Sequence, residues 1–264
     1  MRSVSTVAAL PRRDRIVIST CLILVSILSW LYLVHLDRQM SVSMEHDTMM
    51  AEMGMSAQTP WTAVDVLFTF VMWAVMMAGM MAGSAIPVLL LFAAAHTARG
   101  ERGRGLAVPM FGLGYAAVWI GFSACAALAQ WALHDTAMLS PAMAATSPFL
   151  SGAILLGAGA YQMTSWKGAC LTHCRSPLGF LMTSWRDGQL GALRMGVRHG
   201  VYCLGCCSAL MCVLFVVGVM NLVCVAVLMA FVLVEKTGPA GIILARVGGV
   251  AMMLVGLLSL AGLV

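Results

Sequence analysis

The sequence predicts an all-α polytopic membrane protein, a helical bundle of seven transmembrane helices. Three observations lead there. Of the 264 residues, 61% are hydrophobic and 9% charged, with a mean hydropathy of +0.96, whereas soluble domains carry roughly a quarter charged residues. The apolar runs are long. They also lack the roughly ten-residue strand alternation of an outer-membrane barrel, which leaves helices.

A spanning helix needs roughly 20 apolar residues. That length cuts the chain into runs at residues 16–34, 64–91, 106–133, 149–165, 201–234 and 240–264. The run 201–234 carries no charge and is long for one helix, and its middle holds the turn-type stretch GVMN. Two helices joined by a tight turn give seven spans, and a single tilted helix gives six. A basic start before an apolar run also describes a signal peptide, but no small-x-small cleavage site follows Val34 and the run is long for a signal core. Residues 1–60 then form an N-terminal anchor helix and a Met-rich outer loop, and residues 61–264 form the helical membrane domain.

Arg and Lys set the orientation, because positive loops stay in the cytoplasm. Arg2, Arg12, Arg13 and Arg15, then Arg99, Arg102 and Arg104, then Lys167, Arg175, Arg186, Arg194 and Arg198 fall on one side of alternating spans. The acidic stretch 35–60 and the nearly uncharged WALHDTAMLSPAMAATSP fall on the other. The chain reads as a multi-pass protein of a bacterial-type inner (plasma) membrane with a cytoplasmic N-terminus, its first partner being the lipid bilayer. The net charge of +5 is accounted for by this topology and implies no nucleic acid.

Five cysteines and a histidine crowd two short stretches. Cys170, His173 and Cys174 lie in KGACLTHCR, and Cys203, Cys206 and Cys207 in GVYCLGCCSALM. On a helix, Cys203 and Cys207 share a face with Cys206 beside them. The span boundaries put both stretches at the cytoplasmic mouth of the bundle. In a reducing compartment, clustered thiols point to metal ligation or redox chemistry more than to structural disulfides. The scattered Cys21, Cys125, Cys212 and Cys224 read as small hydrophobes.

The chain has 23 methionines. In the second span Met72, Met76 and Met80 step by four with Met77 and Met81 alongside, forming a thioether stripe, a pattern that core packing also produces. Met40, Met44, Met49, Met50, Met53 and Met55 lie in the outer segment with His46, Asp47 and Glu52. Apolar side chains in a flexible loop gain little from burial, so capture of a soft metal explains them better. Thioether and thiolate sulfur together select copper(I), with other soft metals next.

Among polar groups in or near the spans, Asp65, His96, Gln162, Asn221, Glu235 and Lys236 lie near predicted ends, and Arg246 is expected to pair with Glu235. Gly112/Gly114 and Gly157/Gly159 have the spacing of close helix packing. No phosphate-binding glycine loop, serine nucleophile elbow or HExxH is found, and no catalytic residue is assigned.

The order MWAVMMAGMMAGSAIP, GAGAYQMTSWKGACLTHCRSPL, GVYCLGCCSALM and GVMNL before EK resembles the family described as predicted metal-binding integral membrane proteins of unknown function, over residues 61–264. The resemblance implies a metal site drawing on Trp73, Met76, Met80, Met81, Tyr161, Gln162, Lys167, Cys170, Cys174, Cys203, Cys206, Cys207, Met211, Asn221, Glu235 and Lys236. Ser208 stands where the pattern has tryptophan, and the outer Met-rich segment lies outside it.

The expected function is soft-metal handling, most directly of copper(I): capture by outer thioethers, relay along the second span, and receipt by the five cysteines and His173. A metal chaperone or metalloprotein would be the partner. The rivals are a membrane thiol-disulfide oxidoreductase, with Cys203 and Cys206 as its C-x-x-C pair, and an assembly or scaffold subunit whose sulfur residues only pack.

Overall fold

The structure, a computed structural model, describes residues 10–52, 61–99, 104–140 and 143–263. In chain order the helices are α1 (Arg12–Glu52), α2 (Ala63–Ala98), α3 (Arg104–Asp135), α4 (Pro148–Gln162), α5 (Ser165–Arg175), α6 (Pro177–Ser184), α7 (Gly188–Cys212), α8 (Leu214–Val217), α9 (Leu222–Thr237) and α10 (Gly241–Leu260). The all-α architecture is as expected. The number of spans is not.

Among the described residues five segments are long and apolar enough to cross a membrane: Arg12–Val42, Ala63–Ala98, Leu106–Asp135, Gly188–Val217 and Gly241–Leu260. Two of the seven expected spans are shorter. Helix α4 has 15 residues and stops where Thr164 caps α5, its hydroxyl accepting from the Lys167 N–H. Helix α9 has 16, running from the Asn221 cap to Gly238. At 1.5 Å per residue these reach roughly 22–24 Å, short of the roughly 30 Å hydrocarbon core. The expected turn in run 201–234 is present, with Gly218 at φ +93° between α8 and α9; that left-handed conformation favours glycine.

Two further boundaries move. Helix α7 begins at Gly188 instead of residue 201. A hydropathy cut stops at Arg194 and Arg198, but these point outward while Ala192, Met195, Gly196 and His199 are buried, so the amphipathic turn belongs to the helix. Cys203 therefore lies 15 residues into α7 and is buried, not at the start of a helix. Helix α1 continues to Glu52, so the expected outer loop is helical that far; Met, Gln and Glu are good helix formers.

Glycines bring the helices together. A Cβ at Gly114 or Gly196 would strike the backbone of Leu193 or Phe111, so α3 and α7 touch at their main chains, parallel in direction. Gly152 lies against Gly256, and Gly159 against Gly249, which runs α4 antiparallel to α10. Gly112 and Gly157 face open space; only one glycine of each expected pair makes the contact. Gly79 lets Ser29 of α1 approach α2, where the Ser26 hydroxyl donates to the Gly79 carbonyl at 3.1 Å. The outer faces carry Leu28, Phe68, Val223 and Ile243 exposed, a surface compatible with insertion into lipid. The core runs from the methionines of α2 to the cysteines of α7.

Candidate metal centre

The α2 methionines Met72, Met76, Met77, Met80 and Met81 are all buried, in one apolar cluster with Cys203, Cys206, Cys207 and Met211. Trp73, between them, donates from its indole to Gln130 Oε1 at 2.7 Å, and Gln130 Nε2 donates to Met143 Sδ at 2.9 Å. At the other end of the stripe, Met81 meets the thiols.

There α5, α7 and α9 converge. Cys206 Sγ lies 3.7 Å from Cys174 Sγ, and the Cys170 side chain packs on Gly205. The Tyr161 hydroxyl donates to the Gly205 carbonyl at 2.6 Å. The Cys206 and Cys207 thiols reach back to the Cys203 carbonyl at 3.1 and 2.8 Å, the habit of small polar side chains inside helices. Cys203 Sγ is hydrogen-bonded to Tyr115 Oη at 3.1 Å and accepts from Lys236 Nζ at 3.0 Å. The same ammonium lies 3.8 Å from Met81 Sδ, 3.9 Å from Cys207 Sγ and 3.4 Å from Ser84 Oγ. A cation thus stands among three sulfurs. All nine cysteines are unbridged.

The neighbouring residue turns the other way. Glu235 pairs with Lys167, both carboxylate oxygens 2.9 Å from Nζ, each side chain 1% exposed. Gln162 bonds both, donating to Glu235 Oε1 at 3.4 Å and accepting from Lys167. A buried pair is tolerable only when its remaining sites are filled in this way. Arg175 Nη1 donates to the Glu235 carbonyl at 2.6 Å, closing the end of α9. The expected partner of Glu235, Arg246, is exposed: Lys167, on the first turn of α5, reaches the carboxylate instead.

A cavity of about 260 Å³ opens beside the thiols, lined by Ser84, Cys174, Arg175, His199, Cys203 and Lys236. Burial and the neighbouring Cys206 push the Cys170 thiol above the usual cysteine range. Cys174 is pushed well above it, by hydrogen bonding with Cys203 and Cys206 and then by burial. His173 is not brought to the thiols: it stacks on Tyr202 at 4.3 Å, its Nδ1 2.9 Å from the Ala169 carbonyl. Among the described residues no three His, Cys, Asp or Glu side chains are closed around a point where an ion would sit. The donor set is nevertheless the soft sulfur that suits Cu(I).

Of the N-terminal candidates, Met49 is exposed and Met40 packs against the core. Met53 and Met55 lie outside the described residues, as do the side chains of His46 and Met50. Sequence reasoning missed Ser84, Tyr115 and His199. The available signal was spacing: His199 stands four residues before Cys203.

Residues 70–259 match the family described as copper chaperone PpoB2. The chain belongs to this copper chaperone family. No curated protein matches it, nor does any solved structure. The PpoB2 match takes in the α2 stripe, all five clustered cysteines, Glu235 and Lys236, and leaves out α1. It gives a copper-related description to the resemblance noted from the motifs.

Proposed function

We propose that this chain is a membrane-embedded copper chaperone that holds Cu(I) at the α5–α7–α9 junction and delivers it to a metalloprotein partner. The observation that carries this reading is the Lys236 ammonium among Cys203, Cys207 and Met81. Sulfurs that hold one monovalent cation are arranged around a position another can take once the lysine swings aside. Cys203, Cys206, Cys207 and Cys174 are the thiol donors, each losing its proton on ligation, and Met81 is the nearest thioether. Met72, Met76, Met77 and Met80 extend the soft donors along α2, and Met143 with Gln130 and Trp73 closes the far end of the stripe. His173 is left outside the site. The basic segments support a cytoplasmic N-terminus.

Competition of the purified full chain against a Cu(I) chelator tests the reading. Tight, stoichiometric binding lost on Cys203→Ser with Cys207→Ser supports it, and unchanged binding in that double variant overturns it.

One observation favours the redox alternative: the 3.7 Å between Cys206 and Cys174 sulfurs, close enough for a disulfide after small movement. Alkylation mobility shifts on protein from unstressed cells separate the two, since a Cu(I) site keeps these thiols reduced.

A further inference from the structure

His199 is 3% exposed, and its Nδ1 has no hydrogen-bond partner. It precedes Cys203 by one helical turn, so the two share a face of α7. Rings hold the imidazole in place: Phe180 at 5.2 Å, Tyr115 at 6.0 Å and Phe111 at 6.2 Å between centroids. Packing alone does not account for a histidine here. Phenylalanine would fill the same aromatic pocket without a buried nitrogen left unsatisfied. Buried polar atoms without partners are rare, and an ion that completes them is one of the few explanations. The side chain lines the 260 Å³ cavity together with Cys174 and Cys203, and neutral imidazole ligates copper readily.

We propose that His199 is a metal ligand: with Cys203 and Cys174 it forms a second Cu(I) position on the cavity side of the thiol junction, the position from which the ion leaves. The inference rests on the reading of that junction as a Cu(I) site. The three donors are not closed around a point as they stand; they share the lining of one cavity, with Arg175 and Lys236 beside them, and binding there requires both cationic side chains to turn away. Cu(I) moving there from Cys207 and Met81 exchanges sulfur donors for one imidazole nitrogen. The other ring nitrogen keeps the proton, Cys174 is already a thiolate from the junction, the Cys207 thiolate left behind takes up a proton from solvent, and no electron moves. A mixed nitrogen and sulfur set holds Cu(I) less tightly than sulfur alone, as a release position requires.

X-ray absorption at the copper edge, on the full chain in detergent loaded with one and then two equivalents of Cu(I), tests this. The expected result is sulfur alone for the first equivalent and an imidazole shell appearing with the second. That shell should vanish in His199→Gln and persist in His173→Gln, and His199→Gln should weaken the second equivalent at least about tenfold while sparing the first. An all-sulfur second site, an imidazole shell surviving His199→Gln, or saturation at one equivalent overturns the proposal and leaves the junction reading intact. Failure to bind even the first equivalent overturns both. An all-sulfur wild-type spectrum overturns the proposal even if a variant does not fold.

Discussion

Helix α1 and the α5–α7–α9 junction are both rich in sulfur, and they treat it differently. The far end of α1 leaves Met49 exposed, packs Met40 against the core, and lies outside the PpoB2 match. The junction buries Cys203, Cys206, Cys207 and Met81, sets a lysine among them, and anchors α9 to α5 with a second, paired lysine. Sulfur content alone therefore does not mark a site. What marks the junction is desolvated polar groups, which cost free energy that packing does not need to spend.

The largest effect expected from breaking this contrast is structural. Lys167→Met strands Glu235 in the interior and should destabilise the chain by about 3–5 kcal/mol, read as a shift in unfolding in detergent. Adding Glu235→Leu should recover most of that loss. Met49→Leu on α1 should stay within about 0.5 kcal/mol. Next come the thiols. Cys174→Ser and Cys206→Ser should each weaken Cu(I) binding by more than the roughly 10–100-fold that loss of an outer-shell partner costs, with the double variant clearly less than additive. Additive losses would mean that the two cysteine segments serve separate sites.

A pH series sharpens the same contrast. The Cys174 thiol is pushed up, so it is protonated in the metal-free chain near neutrality and must release its proton on loading. Affinity should rise with pH by about tenfold per unit for each proton released, and fall as the pH is lowered. A thioether-only site such as α1 could provide has no proton to lose and should show no slope. Within the core, the smallest effect is expected on the stripe, where Met77→Leu keeps the volume, removes one thioether, and should cost about 1.5 kcal/mol of stability or less.

Much of this was legible in the sequence, and the failures have physical causes. Cys203, Cys206 and Cys207 follow helical spacing, so their shared face could be read directly, as could the turn at Gly218. The start of α7 could not be read from hydropathy, because Arg194 and Arg198 lie on its outward face while small residues bury the inward one. That error placed Cys203 at the start of a helix when it lies 15 residues into one. The lengths of α4 and α9 are set by caps at Thr164 and Asn221, which a window of apolar residues does not register. Partner choice was the least legible: Glu235 looked nearest to Arg246 along the chain, yet Lys167, 68 residues away, makes the pair.

The most direct test of the account is copper analysis of the purified full chain in three forms: wild type, a variant with Cys203, Cys206 and Cys207 all replaced by serine, and a variant with Met40, Met44, Met49, Met50, Met53 and Met55 replaced by leucine. The account predicts that wild type and the leucine variant retain Cu(I) through purification and that the serine variant does not. Retention of copper by the serine variant, or its loss from the leucine variant, would contradict the claim that the α5–α7–α9 junction is where the ion is held.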